Sequence, residues 1–135
     1  MSTLNITLNG ALIARILLAL IFIIFGLNFF LHFISAPPPE GNAGAFVGGL
    51  FQSHYFFPFL KGLEIILGLF LLFGIFVPLV LVILMPISLN ILLFHGFLAP
   101  SGIGIGIAIL ALHLFPAWSY RDYYKQLFTS RAVAG

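Results

Sequence analysis

Between Ala11 and Ile34 the chain carries one charged side chain, Arg15, in an otherwise strongly apolar run. About 20 apolar residues suffice to cross the hydrocarbon of a bilayer as a helix. The run is too long for the apolar region of a signal peptide, its cation lies inside it, and Ala36 is followed by three prolines. It therefore reads as a first transmembrane helix, with Asn9 or Thr7 near its start and Pro37 beyond its end. Three further runs of spanning length follow: Tyr55–Phe73, Pro78–Leu98 and Gly102–Trp118. Only 6% of the 135 residues are charged, 62% are hydrophobic, and the mean hydropathy is +1.24. A soluble domain carries about a quarter charged residues because its surface faces water. Lipid is the solvent here, and the expectation is an all-α polytopic membrane four-helix bundle forming one domain over residues 1–135.

Proline and glycine punctuate these spans. Pro37-Pro38-Pro39-Glu40-Gly41-Asn42 cannot be helical, since proline lacks the donor and pushes its predecessor out of the α region. In the segment from Ala43 to Gln52 the residues Phe46, Val47, Leu50 and Phe51 recur at helical spacing. The segment is too short to span, so a short interfacial helix is expected within the loop Ser35–His54. Pro58 is tolerated in the first turn of the second span, Gly74 stops it, and Pro78 opens the third. Pro86 bends that third helix. Ser101 is a natural N-cap for the fourth span. The Gly/Ile alternation from Gly102 to Ile107 resembles a strand, but an isolated strand leaves its backbone unsatisfied in lipid. Gly102 and Gly106 instead offer a small-residue face for close helix packing.

Arg15 flanks the first span, and Arg121, Lys125 and Arg131 follow the last, beside the aromatic group Trp118, Tyr120, Tyr123 and Tyr124. The net charge of +2 is thus an orientation signal and gives no basis for nucleic-acid binding. By the positive-inside rule both termini lie in the cytoplasm, with the protein in the inner (cytoplasmic) membrane and the loop 35–54 outside. There is no cysteine, which removes disulfides, thiolate metal sites and iron–sulfur ligation.

Polar side chains inside a membrane are costly, about 2.5–3.5 kcal/mol for a charge at the helix centre on insertion scales. The candidates are Asn28, His32, Lys61, Glu64, Asn90, His95 and His113. With about 1.5 Å of rise per residue, Asn28, Glu64 and Asn90 fall at one depth on three helices of alternating direction. Lys61, His32 and His95 lie nearer the outside, and Lys61 can pair with Glu64 at i, i+3. The expectation is an outward-facing polar pocket formed by Asn28, His32, Lys61, Glu64, Asn90 and His95 beneath the 35–54 segment. Other readings stand beside it: Lys61 as a snorkelling residue, Lys61–Glu64 as a structural pair, and the two asparagines as interhelical glue. His113 reads as a satisfied bundle histidine. No phosphate loop, HExxH, nucleophile elbow or bis-histidine haem pattern is present, and Ser88 and Ser101 lack a plausible base. No metal site is expected.

Phe25-Gly26-Leu27-Asn28-x-Phe30, Lys61-Gly62-x-Glu64 with Gly68, Pro86-x-x-x-Asn90-x-x-x-Phe94-His95, and Trp118-Ser119-Tyr120-Arg121-Asp122 resemble the DoxX-like membrane proteins. The resemblance runs from about Ala11 to Phe128. It implies a four-helix fold and links to quinone-coupled sulfur oxidation, membrane oxidoreductase complexes and accessory roles. The lack of cysteine argues against a thiol-based form of that role. The functional expectation is an accessory or redox-associated subunit that has no intrinsic cofactor and takes a quinone, lipid or other small amphiphile in the polar pocket. The alternatives are an assembly subunit of a larger membrane complex, or a small proton-coupled transporter acting as a homo-oligomer.

Overall fold

The computed structural model describes residues 2–135 along the backbone, and side chains from Gly10 onward. Five α-helices follow in order: α1 Ser2–Leu31, α2 Gly41–Gln52, α3 Phe56–Phe73, α4 Val77–Phe97 and α5 Ile103–Ser119. A 3-10 turn, Pro100–Gly102, precedes α5, and a 3-10 helix, Arg121–Phe128, follows it. Four segments are long and apolar enough to cross a membrane: Gly10–Leu31, Phe56–Phe73, Val77–Phe97 and Pro100–Ser119. The chain is an all-α, multi-pass membrane bundle. Its four spans pack in a ring, α1 against α3, α3 against α4, α4 against α5, and α5 back against α1.

Helix ends follow the local chemistry, with four departures from the sequence expectation. One is that α2 begins at Gly41, so Gly41 and Asn42, expected to be non-helical with the proline run, form its first turn because neither lacks the backbone N–H that proline lacks. The first helix does not start at Thr7 or Asn9 but continues back to Ser2, since nothing between Ser2 and Gly10 breaks the ladder. It ends at Leu31 rather than Ile34. There His32 adopts φ +53°, and its N–H donates to the Asn28 carbonyl at 2.8 Å. Ser101 does not cap the fourth span: it lies within the 3-10 turn, and Gly102 holds the N-cap position. Gly74 does stop α3. Its φ of +73° is a left-handed conformation open to glycine at little cost, and its N–H donates to the Leu71 carbonyl.

The core is built from Leu18, Ala19 and Phe22 of α1, Leu67 and Leu71 of α3, Val80, Leu81 and Leu84 of α4, and Ile109 of α5. Small residues let the backbones close on it. A Cβ placed on Gly68 would stand 2.7 Å from Ile23 and 3.2 Å from the Ala19 carbonyl. One on Gly26 would stand 3.1 Å from the Lys61 carbonyl, so α1 and α3 cross through both glycines. The α4–α5 contact uses the expected pair: Cβ atoms on Gly102 and Gly106 would lie 2.6 Å from His95 and 2.8 Å from the Leu92 Cα. Arg15 also has a packing role. Its guanidinium lies 3.3–3.5 Å from where a Gly74 Cβ would be, at the C-terminal end of α3, where the helix dipole favours a cation.

The helix α2 sits across one end of the bundle. Ala43 is buried, Phe46 stacks at 6.0 Å from Phe94 of α4, and Phe51 meets Phe29 of α1 and Phe57 of α3. Ser53 joins α2 to α3, its hydroxyl donating to the Leu50 carbonyl and accepting from the Phe56 N–H. We refer to this as the α2 end. Arg15 and the tyrosine-rich exit of α5 mark the opposite end.

Candidate functional site

Two polar constellations lie inside the bundle. The first is on α3, where one helical turn brings Lys61 and Glu64 onto one face. Lys61 Nζ donates to Glu64 Oε2 at 3.1 Å. The Glu64 side chain is 3% exposed and that of Lys61 is 23% exposed. The carboxylate is therefore inside and the ammonium is the reachable half. Gly26 of α1 presses against the Lys61 carbonyl, and the rings of Phe29, Phe51 and Phe57 gather one turn further toward the α2 end, at 6.0–6.2 Å from one another. Burial of this carboxyl is costly, and the lysine offers it a cation at hydrogen-bond distance.

Of the six residues assigned to a polar pocket from sequence, Lys61 and Glu64 are joined by a side-chain hydrogen bond, and no side-chain hydrogen bond links any other two of them. The Asn28 carboxamide turns to its own chain, accepting from the Ile34 N–H at 2.7 Å and donating to the Ile34 carbonyl at 3.4 Å. It fastens the exit of α1. His32 lies past the helix end with its side chain exposed, off the helical face it was expected to share with Asn28. His95 is half-buried against Gly102, with Nδ1 3.3 Å from the Ala99 carbonyl, and so belongs to the α4–α5 turn. Asn90 points away from the bundle and is exposed on α4. Helical rise sets the depth of these groups, whereas the rotation of each helix sets the direction they face. Residue spacing along the chain fixes the first quantity and leaves the second free.

The second constellation was not anticipated. Ser88 Oγ of α4 lies 2.7 Å from His113 Nδ1 of α5, and His113 Nε2 lies 2.8 Å from the Leu81 carbonyl. Ser88 therefore does have an imidazole beside it, contrary to the sequence reading. A carbonyl can only accept, so Nε2 carries the proton and the neutral ring accepts the Ser88 hydroxyl proton at Nδ1. Both residues are fully buried, at 0% exposure. A substrate carbonyl has no route to this hydroxyl, and every polar atom of the pair is already satisfied. The pair ties α4 to α5 near Pro86, whose missing N–H leaves the helical ladder one donor short. A signal existed in the sequence: Ser88 lies two residues after a proline inside a span, and both residues sit near the middle of their spans.

At the opposite end two apolar cavities, about 470 and 350 Å3, lie between α4 and the 3-10 helix. Tyr124 lines both, and its hydroxyl is buried without a hydrogen-bond partner. Burial raises its phenol pKa above the ordinary value. Arg121 stacks on the Trp118 ring at 4.8 Å, and Lys125 pairs with Asp122 at 3.1 Å on the exposed side. Among the described residues no three His, Asp or Glu side chains converge as a metal site would need.

Comparison with protein-family models, with curated proteins and with solved structures finds no match.

Proposed function

We propose that the chain is an accessory, redox-associated membrane subunit that binds a quinone or similar amphiphile at its α2 end, with Lys61 and Glu64 as the recognition pair. The supporting observation is the Lys61–Glu64 pair itself: a nearly sealed carboxylate whose lysine partner stays accessible within the span. Ionisable side chains at such depth are retained against an insertion cost, which favours a functional role. The ammonium is suited to donate a hydrogen bond to a quinone carbonyl, and Glu64 holds it in place. The aromatic cluster of Phe29, Phe51 and Phe57 supplies an apolar wall at the same end. The resemblance to DoxX-like proteins supports the redox association, and electrons would come from a partner protein. In this reading the termini are cytoplasmic and the α2 end faces outward, supported by Arg15, Arg121, Lys125 and Arg131 at the other end.

Purification in mild detergent, lipid extraction and mass spectrometry test the reading. The wild type is expected to carry a quinone, and the double variant Lys61→Ala with Glu64→Ala to lose it while keeping its thermal transition. Equal quinone content in the two proteins, or none in either, removes the site. A reporter fused after Gly135 should be active only in the cytoplasm, and activity on the far side would reverse the orientation.

The second reading is an assembly subunit in which the ion pair is purely structural. Asn90, a carboxamide on the outer surface of a span, favours it because such a group seeks a partner outside the bundle.

A further inference from the structure

Within Gly10–Leu31, α3, α4 and α5, every charged, amide or imidazole side chain except one is buried or half-buried. Arg15, Asn28, Lys61, Glu64, His95 and His113 all turn toward the bundle or its edges. Asn90 alone is exposed, and it makes no hydrogen bond to another described residue. It sits seven residues before the end of α4, about 10 Å inside the helix terminus. Hydrocarbon offers neither donor nor acceptor to a carboxamide at that depth.

Its surroundings on α4 are ordered. Ile83, Pro86, Asn90, Leu93 and Phe97 are all exposed, and their spacing alternates three and four residues. That is the spacing of a helix–helix seam, sustained here over about 21 Å. The seam lies opposite the buried positions Val80, Leu84 and Ser88, and apart from Pro86, which also lines the larger cavity beside the 3-10 helix, it is the face of α4 that the bundle leaves open.

We propose that two copies of this chain pair through this face of α4, with the Asn90 carboxamides hydrogen-bonded to each other. The choice of a second copy follows from the chemistry. All copies insert with one topology, so a two-fold axis along the membrane normal brings each residue to its own copy at equal depth. A carboxamide has both donor and acceptor and is complementary to itself, which neither a lysine nor a glutamate would be. A single asparagine in an apolar seam also fixes register and oligomeric state.

The absence of cysteine makes the test direct. Single cysteines go into the full chain at Ile83→Cys and Leu93→Cys on the seam, and at Ile66→Cys and Ile107→Cys as exposed controls on α3 and α5. After mild oxidation in native membranes, disulfide-linked dimer is expected several-fold above the controls at the two seam positions. Adding Asn90→Leu to Leu93→Cys should lower the dimer yield about fivefold, the effect of one interhelical amide bond. The bundle itself should keep its melting temperature, because the exposed Asn90 side chain makes no hydrogen bond within it. Equal cross-linking at all four positions overturns the pairing. So do seam cross-links that lead only to a different protein. A dimer yield unchanged by Asn90→Leu overturns the role of the carboxamide.

Discussion

Lys61–Glu64 and Ser88–His113 are both polar pairs inside an apolar bundle, yet they answer opposite needs. The first is ionic, lies within one helix, and keeps its lysine partly accessible. The second is neutral, bridges two helices and is sealed. A pair within one helix adds nothing to the attachment of that helix to its neighbours, so the cost of desolvating its charges is not returned as packing. A pair between helices is a cross-link, and closure around it strengthens the bond by excluding competitors. The presence of a polar residue at depth therefore does not identify a site. What separates the two is whether the group's partners are already complete and whether anything can reach it.

The largest effect that would break this comparison is expected at Glu64. Glu64→Ala leaves the Lys61 ammonium without its partner and should cost about 3–5 kcal/mol, read as a lowered thermal transition in detergent. The double change with Lys61→Ala should be less damaging than Glu64→Ala alone. If it is as damaging or more so, the pair is not a coupled unit. A smaller loss is expected at the sealed pair. Ser88→Ala removes the hydroxyl that His113 Nδ1 accepts from and should cost about 1–3 kcal/mol, the penalty of an orphaned buried acceptor. A wild-type melting temperature for Ser88→Ala would show that the bond does not hold α4 to α5. The smallest effect, with the opposite sign, is expected at Tyr124, whose buried hydroxyl has no partner. Tyr124→Phe removes an unsatisfied group and should be neutral or stabilising by up to about 1 kcal/mol. A clear destabilisation would mean that the hydroxyl is satisfied when the protein is in the bilayer.

The positions of the spans were legible in the sequence because they depend on one-dimensional quantities. A run of apolar residues must lie in lipid, its backbone must then be helical, and Pro37, Gly74, Pro78 and Pro100 mark where it stops. The α2 segment was legible for the same reason, from the helical spacing of Phe46, Val47, Leu50 and Phe51. Gly102 and Gly106 were visible as a packing face because small residues four apart on a helix can serve little else in lipid. The i, i+3 pairing of Lys61 with Glu64 follows from helix geometry alone.

The direction each helix faces was decided only by the tertiary structure. In a soluble helix the polar residues label the outside, but α4 is apolar on every side, and its sequence does not say whether Ser88 or Asn90 turns inward. Packing settles it: with Val80, Leu84 and Ser88 inside, Asn90 is carried to the outer surface. The same rotation brings Ser88 to His113 across 25 residues of sequence, a contact that no local spacing encodes. Arg15 likewise reads from sequence as an orientation charge. Only the approach of α1 to the end of α3 gives it Gly74 to rest on. Depth along the membrane normal is a sum of residue rises and can be counted along the chain. Rotation about the helix axis depends on which neighbours fit, and that becomes known only when the bundle has closed.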